Sequence, residues 1–200
     1  MKTNLCKEKG IKLIHIFEDE WIHKKEIVKF KLKQILNISN DKKINLNKYK
    51  IKEVSNRLKN KFLEKRHIGE NIESDLNLGL FHNNNQTSQL SNIMTFSKKD
   101  RGFELIYYPY SYEISKHLLN YFQENYNWKE IYSCVDLRWS DGEIYHKLKF
   151  EKLYQKEPEC WNIVPRQIKR IRLSESEDLL KIYDCGSIYF KLINKENING

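Results

Sequence analysis

The stretch FELIYYPY (Phe103–Tyr110) begins a strand–helix–strand passage that decides the fold. The following segment, SYEISKHLLNYFQENY (Ser111–Tyr126), has apolar residues at helical spacing. They are Ile114, Leu118, Leu119 and Phe122, and they predict an amphipathic helix. EIYSCVDLRW (Glu130–Trp139) is predicted to be the second strand. Because such a connection within one sheet is right-handed and joins parallel strands, the passage predicts an α/β core.

Further strands and helices are predicted on the N-terminal side of this passage. YKIKEV (Tyr49–Val54) is predicted to be a strand, and Ser55 is placed to cap a helix over Asn56–Lys65. LNLGLF (Leu76–Phe81) and LSNIMTF (Leu90–Phe96) flank a polar turn and predict a β-hairpin.

The C-terminal side continues the same pattern. GEIYHKLKF (Gly142–Phe150) predicts a short helix, and Glu151–Val164 predicts a closing pair of strands around Pro158. LLKIYDCGSIYFKLI (Leu179–Ile193) predicts a hairpin that turns at Asp184–Gly186. The chain is therefore expected to form a mixed α/β sheet flanked by helices.

The N-terminal segment has a different pattern. IKLIHIF (Ile11–Phe17) is rich in β-branched residues and predicts a buried strand, which would leave the carboxylates of Glu18–Glu20 on the surface at its end. Trp21–Leu36 has apolar residues at helical spacing and a lysine-rich opposite face, so it predicts a basic helix. The polar segment Asn37–Asn47 predicts a linker.

The positive charge is concentrated in the first third of the chain. The formal net charge is +9, and residues 1–70 hold 19 Lys and Arg against 9 Asp and Glu. A localised positive field attracts polyanions such as nucleic acids, although a solvated basic helix is the simpler alternative. The cysteines lack the spacing of a zinc site, and neither a signal peptide nor a membrane-length apolar run is visible, so a cytoplasmic location is expected.

The longest motif is IYSCVDLRWSDGEIYHKLKF (Ile131–Phe150), and shorter motifs lie elsewhere in the chain. Together with GIKLIHIFEDEW (Gly10–Trp21), LGLF (Leu78–Phe81), MTFS (Met94–Ser97) and IYDCG (Ile182–Gly186), it resembles the C-terminal part of phage homing endonucleases related to the very-short-patch-repair nucleases, often called Hef-like. That family ends its nuclease domain with the strand that GIKLIHIFEDEW resembles, and then continues in a domain with the GCN5-related N-acetyltransferase fold.

The resemblance implies four segments. Residues 1–36 would be a remnant of the nuclease domain, made of a last strand and a basic helix, and residues 37–48 a linker. Residues 49–165 would form an acetyltransferase-like α/β domain with a mixed sheet flanked by helices. Residues 166–200 would form a C-terminal basic segment and hairpin.

Two departures from the family change the expected function. The nuclease strands that carry Mg²⁺ ligands would precede Met1, so no metal site is expected here, and Mg²⁺ would be needed only if a separate chain completed the nuclease. The predicted helix at Ser111–Tyr126 has no glycine at its start, and Glu113 there would repel a diphosphate. We therefore expect no cofactor, and in particular no bound coenzyme A.

The resulting hypothesis is a DNA-binding fragment or split part of a homing endonuclease that does not cleave DNA alone. Its partners would be DNA and a separate chain carrying the nuclease half, without a membrane, and whether it is an enzyme stays open. The alternative is an N-acetyltransferase, or a DNA-base-modifying enzyme of the same fold.

Candidate site residues fall into two groups. Those expected to contact DNA are Lys24, Lys25, Lys29, Lys33, Lys42, Lys43, Arg66, Arg138, Trp139, Arg166, Lys169 and Arg170. His67, Asp136 and Ser140 are candidates for a functional polar cluster. For Asp136, Arg138 and Trp139, a structural salt bridge beside a packed tryptophan is the alternative.

Overall fold

A computed structural model describes residues 2–36, 44–69, 73–83, 88–164, 169–172 and 180–195. The helices are α1 (Lys2–Glu8), α2 (Glu18–His23), α3 (Lys25–Ile35), α4 (Asn56–Leu63), α5 (Tyr112–Asn125) and α6 (Glu143–Lys147), with a 3₁₀ turn at Leu46–Lys48. The strands are β1 (Tyr49–Glu53), β2 (Leu76–Asn83), β3 (Ser88–Lys99), β4 (Gly102–Tyr107), β5 (Glu130–Asp136), β6 (Glu151–Lys156), β7 (Cys160–Val164), β8 (Lys169–Arg172), β9 (Leu180–Tyr183) and β10 (Ser187–Ile193).

Within the described ranges, the main sheet has seven strands in the order β1-β2-β3-β4-β5-β10-β6. β4 and β5 are parallel, and the other neighbouring strands of this sheet are antiparallel. Helix α5 connects the parallel pair, as the strand–helix–strand passage predicted. The predicted α/β class, a mixed sheet flanked by helices, is confirmed.

The core of the main sheet lies under α5. Leu118 and Phe122 of this helix are fully buried, and Phe122 stacks on Phe96 of β3 with ring centroids 4.1 Å apart. The helical spacing that predicted α5 therefore marks the side chains that fill the core. Ser55 also acts as predicted, since its hydroxyl accepts a hydrogen bond from the Leu58 N–H at the start of α4.

The predicted strand over Ile11–Phe17 is wrong. These residues form no strand, and the helix after them begins at Glu18 rather than at Trp21 and is interrupted at Lys24. An apolar run becomes a strand only where a partner strand completes its hydrogen bonds. Here Ile14 instead packs beside Val28 and Trp139, and Glu20 is buried rather than on the surface.

Two predictions for the C-terminal part are also wrong. β6 lies beside β10 in the main sheet, whereas β7 lies between β8 and β9 in a separate three-stranded sheet, so β6 and β7 are not a pair. β9 and β10 therefore do not form a hairpin either. β10, from the segment predicted as a C-terminal hairpin, instead lies between β5 and β6.

The turn at Asp184–Gly186 carries the chain from the small sheet to the main sheet. Asp184 Oδ1 accepts hydrogen bonds from the N–H groups of Glu159 and Gly186, both at 2.8 Å. Its Oδ2 accepts one from Trp161 Nε1 at 2.7 Å. Gly186 has a φ of 78°, and a Cβ there would lie 2.2 Å from the Lys156 carbonyl oxygen, so the turn requires glycine.

Residues 37–43 of the predicted linker lie outside the described residues. The four predicted segments and their boundaries stay predictions. No helix in the described ranges is long and apolar enough to cross a membrane.

Candidate functional site

A cleft opens where the two parallel strands separate. β4 and β5 pair only from Phe103 with Ile131 to Leu105 with Ser133, although both strands continue beyond these residues. A cavity of about 450 Å³ lies there, lined by the ends of both strands and by residues of α2, α3 and the segment after α4. Its size is that of a small-molecule site.

The point of separation is held by a buried polar chain. Ser133 Oγ donates to the Leu105 carbonyl oxygen at 2.7 Å and lies 2.6 Å from the hydroxyl of Tyr145 on α6. Either hydroxyl can be the donor in the contact between Ser133 and Tyr145, and the Tyr145 hydroxyl also forms a hydrogen bond with that of Tyr108. Gly142, with a φ of 88°, precedes α6, and a Cβ there would lie 2.4 Å from the Phe190 ring. The glycine therefore allows α6 to place Tyr145 close to the point where β4 and β5 separate.

Three tyrosines at the end of β4 and in its connection to α5 line the cavity: Tyr107, Tyr108 and Tyr110. Burial raises the pKa of Tyr107 and of Tyr108 to about 12, and it raises the pKa of Tyr110 still further. Their hydroxyls therefore stay protonated at neutral pH, which makes them potential proton donors towards a ligand.

One wall of the cavity is a buried ion network. Arg138 Nη1 lies 2.9 Å from Glu20 Oε1 on α2, and Nη2 lies 2.7 Å from Asp136 Oδ2 at the end of β5. The side chains of Arg138 and Glu20 are only 7% and 2% exposed. The guanidinium also lies over the Phe17 ring, 4.3 Å from its centroid. The network ties the N-terminal helices to the main sheet beside the cleft.

Lys31 of α3 enters the cavity without an ion-pair partner in the part of the chain that the structure describes. Its Nζ lies over the rings of Trp139 and Tyr110, at 4.6 and 6.0 Å from their centroids. It has no hydrogen bond or ion pair with any residue that the structure describes, although Asp136 and Glu20 act on it at longer range. Burial lowers its pKa to about 8. Lys31 is therefore partly uncharged near neutral pH.

His67 and Lys24 complete the wall opposite the strands. Burial lowers the pKa of His67 to about 4, with contributions from Lys31 and Lys24, so its imidazole is neutral at pH 7. The ring makes an edge contact with Tyr107, with centroids 5.9 Å apart. Lys24 Nζ donates a hydrogen bond to the Ile68 carbonyl oxygen.

The cleft brings several of the predicted site residues together. Those lining it are Lys24, His67, Asp136, Arg138, Trp139 and Ser140. Arg138 and Trp139 are buried, which agrees with the alternative of a salt bridge beside a packed tryptophan. That Arg138 and Trp139 contact DNA stays a prediction.

The other predicted DNA-contacting residues lie elsewhere. Lys25, Lys29 and Lys33 are exposed on the outer face of α3, and Arg66 stacks on the Phe62 ring at 4.0 Å. Lys42, Lys43 and Arg166 lie outside the described residues, and only the strand position of Lys169 and Arg170, in β8, is described.

Sequence reasoning did not place Lys31, Glu20, Ser133 or Tyr145 at the cleft, and it treated Lys31, like the other lysines of this segment, as a phosphate contact. For Lys31 a signal existed, because it follows Ile27 by four positions and Val28 by three, which places a lysine on the apolar face of α3. Glu20 and Ser133 carried no such signal, because their partners are distant in the chain. In the described ranges, no group of three or more His, Cys, Asp or Glu side chains could hold a metal ion.

Comparisons with known proteins give only distant structural likenesses. No family model matches the chain, and no curated protein matches it. One similar solved structure, from Sphaerobacter thermophilus, is described as a "putative acetyltransferase"; it has 5% identity, a TM-score of 0.41, and coverage of 73% of this chain and 94% of that one. Another is yncA from Salmonella typhimurium, given the same description and solved with its cofactor acetyl-CoA; it has 10% identity, a TM-score of 0.44, and coverage of 74% and 94%. Both TM-scores are below 0.5, so neither likeness supports a function for this chain.

Proposed function

We propose that this chain is an acyltransferase that modifies an amine and binds its acyl donor between β4 and β5. The observation that carries the proposal is the separation of two parallel strands after Leu105 and Ser133, where the cavity opens. Backbone N–H and C=O groups of separating strands can pair with an extended, amide-containing ligand, as in strand addition to a sheet edge. An acyl thioester of pantetheine has that form, because its arm contains two amides.

The tyrosines close to the point where β4 and β5 separate suit the chemistry of acyl transfer. When an amine attacks a thioester carbonyl, a C–N bond forms, the C–S bond breaks, the nitrogen must lose a proton and the leaving sulfur needs one. A tyrosine that protonates the sulfur can recover a proton from that nitrogen. Tyr108 and Tyr110 line the cavity and stay protonated at neutral pH, so either can donate that proton.

The start of α5 does not suit the diphosphate of coenzyme A. The first turn contains Glu113 and no glycine, and Pro109, just before it, has no N–H to donate. A carboxylate beside a helix N-terminus competes with a bound phosphate. We therefore propose that the acyl-bearing arm of the donor provides the binding, without a contribution from a nucleotide diphosphate.

Thermal melting with two donors tests the acyl-donor site and the proposal that the diphosphate does not contribute to binding. Acetyl-CoA and acetyl-pantetheine, which lacks the diphosphate, should raise the melting temperature by similar amounts. Ile106→Trp, which fills the cavity, should remove the shift, whereas Glu104→Trp on the same strand but outside the cavity lining should keep it. No shift with either donor would overturn the acyl-donor site. A shift with acetyl-CoA alone would overturn the statement about the diphosphate.

DNA binding is the second candidate, and the exposed lysines of α3 favour it. Lys25, Lys29 and Lys33 are exposed and lie four positions apart, on the outer face of the helix. Two of these charges have neighbours, because Lys29 pairs with Glu26 at 2.8 Å and Lys25 lies over the Trp21 ring. The outer face of α3 would then contact the phosphate backbone of DNA.

The salt dependence of duplex DNA binding tests this second candidate. Replacing the three lysines by Gln should weaken binding and lower the salt slope, by about 0.9 per lost phosphate contact. The control is an equal loss of charge at exposed sites elsewhere, by glutamine at Lys116, Lys147 and Lys152. Equal effects of both triple variants, or no salt-dependent binding at all, would contradict a DNA surface on α3.

A further inference from the structure

The Lys31 side chain has no role in the proposed acyl transfer. It lies on the inner face of α3 and reaches the cavity between Trp139 and Tyr110. The carboxylates that could neutralise it, on Glu20 and Asp136, are both bound by Arg138. An ammonium that is desolvated, lacks a paired carboxylate and lies near another cation is disfavoured relative to the neutral amine.

We propose that Lys31 is a nucleophilic amine that binds a small aldehyde or ketone covalently in this cavity, as an imine. Imine formation needs only the cavity and an uncharged lysine, so this proposal does not depend on acyl transfer. A cavity of about 450 Å³ accommodates a small carbonyl compound. The aromatic walls formed by Trp139 and the three tyrosines favour a carbonyl compound with a flat or apolar body.

The reaction requires only the two partners and proton transfer within the site. The lone pair of Lys31 Nζ attacks the carbonyl carbon and forms a C–N bond. The former carbonyl oxygen leaves as water, with one proton from Tyr110 or Tyr108 and one from the amine. The nitrogen then returns a proton to the tyrosinate, so the products are the imine and water.

Groups around Lys31 support this chemistry from several elements. Tyr110 and Tyr108 lie after β4 and remain protonated, and His67, which lies after α4, is neutral at pH 7. Trp139 Nε1 is buried and has no hydrogen-bond partner among the described residues. An acceptor group on the ligand could therefore bind this donor while the carbonyl reacts with Lys31.

The test uses the full chain, benzaldehyde and sodium cyanoborohydride, which traps an imine as a stable secondary amine. Peptide mapping by mass spectrometry then locates the label. The neutral fraction of Lys31 at pH 7.5 exceeds that of an ordinary lysine by about 200-fold, so the label should concentrate at Lys31. Its rate should rise with pH and reach half of its maximum near pH 8.

Two variants on the same helix provide the controls. Lys31→Met should abolish the selective label, whereas Lys29→Met, at an exposed position of α3, should leave it unchanged. The pH profile of the unmodified chain provides a readout that needs no variant, in case Lys31→Met does not fold. Labelling of exposed lysines with Lys31 unlabelled, or labelling of Lys31 with a midpoint near the ordinary value of 10.5, would overturn the proposal. Selective labelling without any melting shift from acyl donors would support the reactive lysine and contradict only the acyl-transfer proposal.

Discussion

One ion pair on the outer face of α3 and one of the two that Arg138 forms at the cleft have nearly equal lengths. Lys29 and Glu26 are 2.8 Å apart on the outer face, and Arg138 and Glu20 are 2.9 Å apart at the cleft. The first pair is 45% and 82% exposed, whereas the second is 7% and 2% exposed. Water screens the first pair but not the second, so the same distance implies different energetic consequences.

The same contrast separates the lysines of α3 from one another. Lys25, Lys29 and Lys33 remain in solvent, where an ammonium is well hydrated. Lys31 points inward, and burial lowers its pKa to about 8. The molecule therefore keeps ordinary positive charge on one side of α3 and a perturbed amine on the other.

Breaking the buried pair gives the largest expected effect. Glu20→Gln should lower the free energy of unfolding by about 3 kcal/mol, because it leaves the buried Arg138 with only one of its two carboxylates. Urea denaturation at pH 7 measures the change. Glu18→Gln, at an exposed position on the same helix, should change stability little. Equal losses in the two variants would show that burial does not distinguish these two glutamates.

Removing the buried amine should have a smaller effect of opposite sign. Below pH 8 Lys31 is charged in both the folded and the unfolded chain, so the cost of burying its charge is fully present. Between pH 8 and the ordinary value of 10.5 the folded chain loses this proton while the unfolded chain keeps it, so stability increases with pH.

Lys31→Met should therefore stabilise the chain at pH 7 by about 2 kcal/mol, which is less than the full pKa shift implies because the variant also loses the contacts of the ammonium with the Trp139 and Tyr110 rings. This advantage should disappear at high pH. Denaturation of both proteins at pH 7 and above pH 10 gives the comparison. A difference that does not depend on pH would mean that the amine is hydrated in the folded chain.

The exposed pair should give the smallest effect. Lys29→Gln should change the free energy of unfolding by less than about 0.5 kcal/mol, because both partners are hydrated and the interaction is screened by salt. The same denaturation experiment measures it at low and at high salt. A loss as large as that of Glu20→Gln would remove the distinction between the two faces of α3.

Local patterns in the sequence predicted the parts of the fold that depend on neighbouring residues. The spacing of Ile114, Leu118, Leu119 and Phe122 predicted α5, and the run before it predicted β4. Together they indicated the parallel pair β4–β5. The same reasoning failed at Ile11–Phe17, because a composition typical of strands does not supply a partner strand.

Much of the candidate site could not be predicted in this way. Asp136, Arg138 and Trp139 were singled out because they are close together in the sequence. Glu20 was not recognised as the partner of Arg138, because the two residues are 118 positions apart. The lysines of α3 were judged mainly by their charge, and only packing shows that Lys31 faces the cleft.

The sequence by itself determined which segments can be helix or strand, because side-chain spacing controls which face of an element is apolar. The tertiary structure alone decided that β10 lies between β5 and β6, and that β4 and β5 separate after three paired positions. It also decided which charged groups lose contact with water. These outcomes depend on contacts between segments far apart in the chain, where burial rather than local pattern sets the energy of a charge.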